Sequence, residues 1–171
     1  MPLRIAFFGT PAFAVPTLDV LLASDHDVVG VVTQPDRPRG RGQQITEAPV
    51  KARARIAGIP ILQPVKLKAP EFLDAFRTWH ADLGVVAAYG RLLPQVLLDL
   101  PPRGLINVHA SLLPAWRGAS PIQRSVLNGD RVSGVTIMRV VLALDAGAML
   151  ARVEVPIAPD DTTGSLELRL A

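Results

Sequence analysis

Leu3-Arg4-Ile5-Ala6-Phe7-Phe8-Gly9, running on through Phe13–Ala23 to Val28-Val29-Gly30-Val31-Val32, is the stretch that decides the fold class. Leu3–Phe8 reads as a buried strand closed by Gly9. Phe13, Leu18, Leu21 and Leu22 then recur at helical spacing. Val28–Val32 is a second buried strand, because β-branched richness favours the extended chain. The same alternation continues outward. Gln34–Ala48, dense in Pro, Gly and Arg, reads as loop. Pro49 suits the first turn of a helix running to Gly58. Pro60–Leu62, Leu83–Ala88 and Gly104–Val108 read as strands, with an amphipathic helix over Ala69–His80. Ser120–Leu127 reads as a helix stopping at Asn128-Gly129, and Gly134–Val141 and Met149–Val155 as two more strands joined by a turn at Asp145-Ala146-Gly147.

Strands separated by helices predict one α/β domain with a mostly parallel sheet covered by helices on both faces. Ligands of such sheets bind at the carboxyl ends of strands. The first of these ends, Gly9-Thr10-Pro11-Ala12-Phe13, lacks both the G-x-G-x-x-G fingerprint and the phosphate-loop lysine. A dinucleotide or nucleoside triphosphate site is therefore not expected.

Composition narrows the classes further. With 49% apolar and 19% charged residues among 171, the chain reads as globular. No apolar run reaches the ~18–20 residues of a membrane span, and the start does not read as a signal peptide. The absence of cysteine excludes disulfides and thiolate chemistry. His26, His80 and His109 show no metal-ligand spacing. The expectation is a cytoplasmic, metal-free protein without membrane association. Charge is uneven. Arg37, Arg39, Arg41, Lys51, Arg53 and Arg55 face one acid, Glu47, between Arg37 and Arg55, whereas elsewhere acids outnumber bases by 14 to 12. Such a stretch is either a solvated surface or a docking face for a polyanion.

The strand ending Ile106-Asn107-Val108-His109 carries the most informative chemistry. Period-two geometry puts Asn107 and His109 on one face at its carboxyl end. An amide can donate to an oxyanion, and an imidazole can move or donate a proton near neutral pH. A structural histidine at a strand end is the plainer alternative. Asp145 reads either as a turn aspartate before glycine or as a carboxylate that orients His109. Ser111 lacks the flanking glycines of a nucleophile elbow.

Asn107-Val108-His109-x-Ser111-Leu112-Leu113-Pro114, followed by Trp116-Arg117-Gly118-Ala119-x-Pro121-Ile122, resembles the signature of the folate-dependent formyltransferases. Gly134-Val135-Thr136-Ile137-Met138 and Leu144-Asp145-x-Gly147 resemble the family's second signature. Phe8-Gly9-Thr10-Pro11-x-Phe13 and Thr33-Gln34-Pro35-Asp36-Arg37-Pro38-x-Gly40-Arg41-Gly42 are similar to its methionyl-tRNA branch. The likeness spans essentially all 171 residues. It implies a Rossmann-like formyltransferase fold, with 10-formyltetrahydrofolate as donor and initiator methionyl-tRNA as acceptor. The substrate amine would attack the formyl carbon directly. Asn107 and protonated His109 would stabilise the oxyanion, and Asp145 would orient His109 and help relay the proton. Ser111, Leu112, Leu113 and Pro114 align with the folate-contacting loop, and Arg37, Arg39 and Arg41 with a loop that reaches the tRNA.

The resemblance also implies that residues 1–171 are a catalytic domain truncated at its C-terminal end. The final helix, begun at Asp160–Ser165, would lead by a linker into a small β-barrel domain that this chain lacks. We expect a monomer. Ala143, Ala146 and Ala148 depart from the family pattern around Asp145, and Ala143 in place of glycine predicts an altered loop there, because alanine disfavours positive φ. Two other readings stand beside this one. One is a folate formyltransferase acting on an amino sugar nucleotide or on glycinamide ribonucleotide; the other is a non-enzymatic folate- or RNA-binding module.

Overall fold

A computed structural model of the chain describes residues 1–39 and 44–171, and of residues 37–39, 44 and 45 the backbone alone. The chain forms two compact units, Met1–Leu105 and Ile106–Ala171.

The first unit is built on β1 (Arg4–Gly9). A 3-10 turn at Ala12–Ala14 leads into α1 (Val15–Leu22), and β2 (Asp27–Val32) follows. After β3 (Arg37–Arg39) and β4 (Gln44–Thr46) come α2 (Pro49–Ile56), β5 (Ile61–Leu62), α3 (Pro70–Arg77), β6 (Leu83–Ala87) and α4 (Gln95–Leu98). β1 pairs in parallel with β2 and β6, and β2 with β5, giving the order β5-β2-β1-β6. Ile5–Phe8 are buried along their whole length, the pattern of a parallel strand with both faces covered. Each of the three longer helices carries a proline in its first turn, where the missing N–H has no intrahelical partner to lose.

The core of this unit is aromatic. Phe76 lies 5.7 Å from Phe8 and 5.4 Å from Trp79 between ring centroids, and Tyr89 stands edge-on to Phe8 at 5.8 Å. Trp79 packs flat on β2 because Gly30 offers no side chain: a Cβ there would lie 2.4 Å from the indole.

The second unit contains β7 (Leu105–His109, its first residue belonging to the first unit), α5 (Pro121–Leu127), β8 (Val132–Arg139), β9 (Met149–Pro156) and α6 (Thr163–Leu170). β7 pairs with β8, and β8 with β9, all antiparallel. α6 starts with a capping box: Thr162 accepts from the Ser165 amide, and the Ser165 hydroxyl accepts from the Thr162 amide. The cap signal expected at 160–165 thus lies where the helix begins. α6 packs on α5 and buries Leu166 and Leu170.

The α/β class expected from the sequence is the class adopted, with its parallel strands in the first unit. Two features differ from the sequence reading. The second unit's described strand pairings are antiparallel throughout: β8 runs back along β7 after α5, and β9 runs back along β8 after the 140–148 connection. Residues 34–48, expected as loop, contain the two-stranded antiparallel ribbon β3–β4, with Arg37 opposite Thr46 and Arg39 opposite Gln44. Backbone pairing builds such a ribbon without an alternating apolar pattern. Its outward edges also tolerate Pro38, which has no N–H to donate. Among the described residues, no helix is long and apolar enough to cross a membrane.

Candidate active site

β7 presents Asn107 and His109 on one face, opposite Met138 and Thr136 of β8. His109 is 7% exposed. Its Nε2 lies 3.0 Å from the Trp116 carbonyl oxygen, a hydrogen bond only if Nε2 carries the proton. On the other side, Nδ1 lies 3.7 Å from Asp145 Oδ2. That distance suits an ion pair and is too long for a hydrogen bond. The ring therefore faces an oxygen at each nitrogen, at hydrogen-bond distance on the Nε2 side and at ion-pair distance on the Nδ1 side. Asn107 is half-buried, and its carboxamide makes no hydrogen bond among the described residues. It is the uncommitted donor on this face.

Asp145 is placed by backbone rather than by other side chains. It sits in the connection between β8 and β9 with φ +45°, a left-handed conformation that Asp tolerates better than most residues. Its Oδ2 accepts the Gly118 N–H at 2.7 Å. The neighbouring Gly147 is required by a close approach, since a Cβ there would lie 1.9 Å from the Arg139 carbonyl oxygen. The same pinch is closed by the Arg139 N–H, which donates 2.9 Å to the Ala148 carbonyl. Ala143 has no positive φ, so alanine costs nothing there. The left-handed residue of this loop is Asp145 itself.

Trp116–Ser120 is the element that sequence reasoning undervalued. Its backbone holds both His109, through the Trp116 carbonyl, and Asp145, through the Gly118 amide. Trp116 (φ +54°), Gly118 (φ +83°) and Ser120 (φ +59°) are all left-handed; glycine takes this conformation freely, whereas Trp116 and Ser120 carry the backbone strain typical of functional loops. The segment is pinned by the Trp116 indole, which donates 2.6 Å to Asp130. The sequence signal for it was the Trp116-Arg117-Gly118 motif, though not which of its atoms act.

Ser111–Pro114 crosses beside these residues. The Ser111 side chain is fully buried, and its hydroxyl donates 2.7 Å to the Ala115 carbonyl. One hydroxyl organises the rest: Thr136 Oγ1 donates to the Ser111 carbonyl at 2.7 Å and accepts the Leu113 N–H at 3.1 Å. Leu113 is buried, Leu112 is half-buried and Pro114 is exposed. The Leu113–Pro114 peptide is cis.

The basic stretch resolves into two parts. On α2, Lys51 is paired with Asp36, Arg53 with Asp19 and Arg55 with Glu47. These three cations are neutralised within the first unit, so the local excess read from the sequence overstates what this helix offers a polyanion. Arg37 and Arg39 lie on β3, and Arg41 lies outside the described residues. Among the described residues, no cluster of three His, Asp or Glu is placed to hold a metal ion.

The chain is 52% identical over 169 residues to the methionyl-tRNA formyltransferase of Geotalea uraniireducens (strain Rf4), a match covering 99% of this chain and 54% of that protein. It is 51% identical to the methionyl-tRNA formyltransferase of Hydrogenovibrio crunogenus over 170 residues, again 99% of this chain and 54% of that protein. The chain therefore spans about half the length of the curated relatives it matches. Among solved structures, it resembles phosphoribosylglycinamide formyltransferase from Bacillus halodurans (TM-score 0.81, 24% identity, 98% of this chain and 87% of that one). It also resembles a formyltetrahydrofolate deformylase from Pseudomonas syringae pv. tomato (TM-score 0.75, 24% identity, 99% of this chain and 56% of that one). Those two likenesses are of fold. The family described as Formyl transferase matches residues 3–171, and the chain belongs to that family.

Proposed function

We propose that these 171 residues are the catalytic domain of a longer enzyme that moves a formyl group from 10-formyltetrahydrofolate to the amino group of initiator methionyl-tRNA in the cytoplasm. The carrying observation is the pairing of buried His109 with half-buried Asp145, with the uncommitted Asn107 amide on the same strand face as His109. The donor folate supplies an activated formyl carbonyl. As the amine attacks, negative charge grows on the carbonyl oxygen, where a fixed N–H donor in a water-poor site is worth most. Asn107 Nδ2 is free to meet that oxygen. His109 would join it through Nε2–H by exchanging the Trp116 carbonyl for substrate, since catalytic hydrogen bonds often form fully only in the complex. Asp145 would balance the imidazolium charge and help relay the amine's proton to the folate nitrogen, whose bond to the formyl carbon breaks as the tetrahedral intermediate collapses to the formylated amine and tetrahydrofolate.

Leu112, Leu113 and Pro114 would contact the folate through backbone and apolar surface, while Ser111 would hold the loop's shape from beneath. Arg37, Arg39 and Arg41 would meet the tRNA. High identity to two methionyl-tRNA formyltransferases supports this acceptor, whereas the glycinamide ribonucleotide alternative rests on fold alone. The deciding experiment supplies the donor folate to the full-length protein with charged initiator tRNA, an amino sugar nucleotide or glycinamide ribonucleotide. Formylation of the tRNA alone is expected; preference for either small substrate would overturn the reading.

A further inference from the structure

The ribbon β3–β4 has a built root. Asp36 directly precedes β3, and Lys51 lies in the first turn of α2, just beyond β4. Lys51 Nζ donates to Asp36 Oδ2, with each side chain only 23% exposed. The other carboxylate oxygen accepts 3.1 Å from Gln63 Nε2, which also donates 3.0 Å to the Gln34 carbonyl. Gln34 in turn donates 2.8 Å from its side chain to the Tyr89 carbonyl, and its amide reaches the Thr10 hydroxyl at 3.4 Å. Both ends of the ribbon are thus tied to each other and to the carboxyl edge of the parallel strands. The Asp36 carboxyl is held below its ordinary range, chiefly by the Lys51 hydrogen bond, with partial burial opposing it and Gln63 adding to it.

A two-stranded ribbon is at best marginally stable alone. The Asp36–Lys51 pair closes a separation of 15 residues, which limits the orientations open to the chain between them. Resting on the tRNA reading above, we propose that Asp36, clamped between Lys51 and Gln63, is a positioning residue that sets the angle at which β3–β4 meets a polyanionic substrate.

Net charge alone gives the opposite expectation for one variant, which makes the idea testable. Asp36→Asn is nearly isosteric and raises the net charge by one. If the basic stretch acted only through its charge, tRNA would bind more tightly. If Asp36 positions the ribbon, KM for charged tRNA in the full-length enzyme should rise about tenfold. In that case kcat at saturating tRNA and KM for the donor folate stay at wild-type values, and amide hydrogen exchange at Gln44–Thr46 accelerates. Lys51→Met should behave likewise. Asp36→Lys combined with Lys51→Asp, which leaves the net charge unchanged, should recover the part of the loss due to the ion pair but not the part due to Gln63, since lysine has no acceptor for its amide. Unchanged exchange at Gln44–Thr46, or a tRNA KM at or below wild type in Asp36→Asn, would overturn the proposal. Failure of the wild type to formylate tRNA would sink the acceptor assignment instead, and the exchange measurement, which needs no tRNA, would still decide the clamp.

Discussion

His109 and the basic ribbon are both fixed in place, by opposite means. Around His109 and Asp145 the restraining atoms are main-chain: the Trp116 carbonyl, the Gly118 amide and the pinch at Gly147. At the ribbon they are side-chain: Asp36, Lys51 and Gln63. A backbone restraint persists through most substitutions and fails only when φ or a close approach is disturbed. A side-chain restraint fails when one functional group is removed. The surroundings of His109 and Asp145 are therefore rigid against ordinary mutation, and the ribbon is adjustable by single changes.

The largest expected effects test the chemical centre. His109→Ala and Asn107→Ala should each reduce turnover by about 10²-fold or more, with folate affinity nearly unchanged in a direct binding titration. A variant within a few-fold of wild type would remove that residue from the mechanism. Gly147→Ala comes next. Its Cβ must displace the Arg139 carbonyl, so we expect a loss of about 1–3 kcal/mol in denaturant unfolding together with a fall in kcat as Asp145 shifts. Stability and turnover both at wild-type level would show the Asp145 loop to be more pliant than its backbone contacts indicate.

Replacing Arg37, Arg39 and Arg41 with Ala should flatten the salt dependence of tRNA binding, by about one unit of slope for each phosphate that is no longer neutralised. Folate binding should not change, and an unaltered slope would assign these residues to plain solvated surface. Trp116→Phe removes the indole hydrogen bond to Asp130 but keeps a ring; roughly 1 kcal/mol of stability should go, with a modest loss of kcat. Arg55→Ala should be the smallest, with a denaturant midpoint close to that of the wild type, because its pairing with Glu47 is solvent-exposed. A larger loss would mean that exposed pairs also hold the ribbon.

The same contrast explains what could be read in the sequence. β1 and β2 were legible because Ile5–Phe8 and Val28–Val32 must be buried on both faces, and burial writes itself as unbroken apolar runs. Asn107 and His109 were legible as a pair because strand geometry alone puts alternate residues on one face. The Trp116 carbonyl and the Gly118 amide were not, since every residue carries those groups and only the left-handed turns at 116–120 aim them. β3–β4 was hidden for a related reason. Its pairing is between backbones, in a segment whose Pro, Gly and Arg composition reads as loop. α4 carried no recognised signal because four residues are too few for a helical period. The charge of the basic stretch and its one internal acid, Glu47, were legible, but the pairing of Lys51 with Asp36 and of Arg53 with Asp19 was not, because Asp19 is distant in sequence and Asp36 borders the run.

Thr136 has a consequence for how the length of this chain can vary. Its hydroxyl holds the 111–113 backbone at two points, and it faces His109 across the β7–β8 ladder. Sliding either strand by one residue would turn that hydroxyl, and with it Asn107 or His109, to the opposite side of the sheet. Insertions and deletions within 106–109 or 132–139 therefore cannot be absorbed singly. Relatives that differ in length should place their gaps in the connections instead. The 140–148 connection tolerates a gap only where the spacing of Asp145 from Gly147 is preserved.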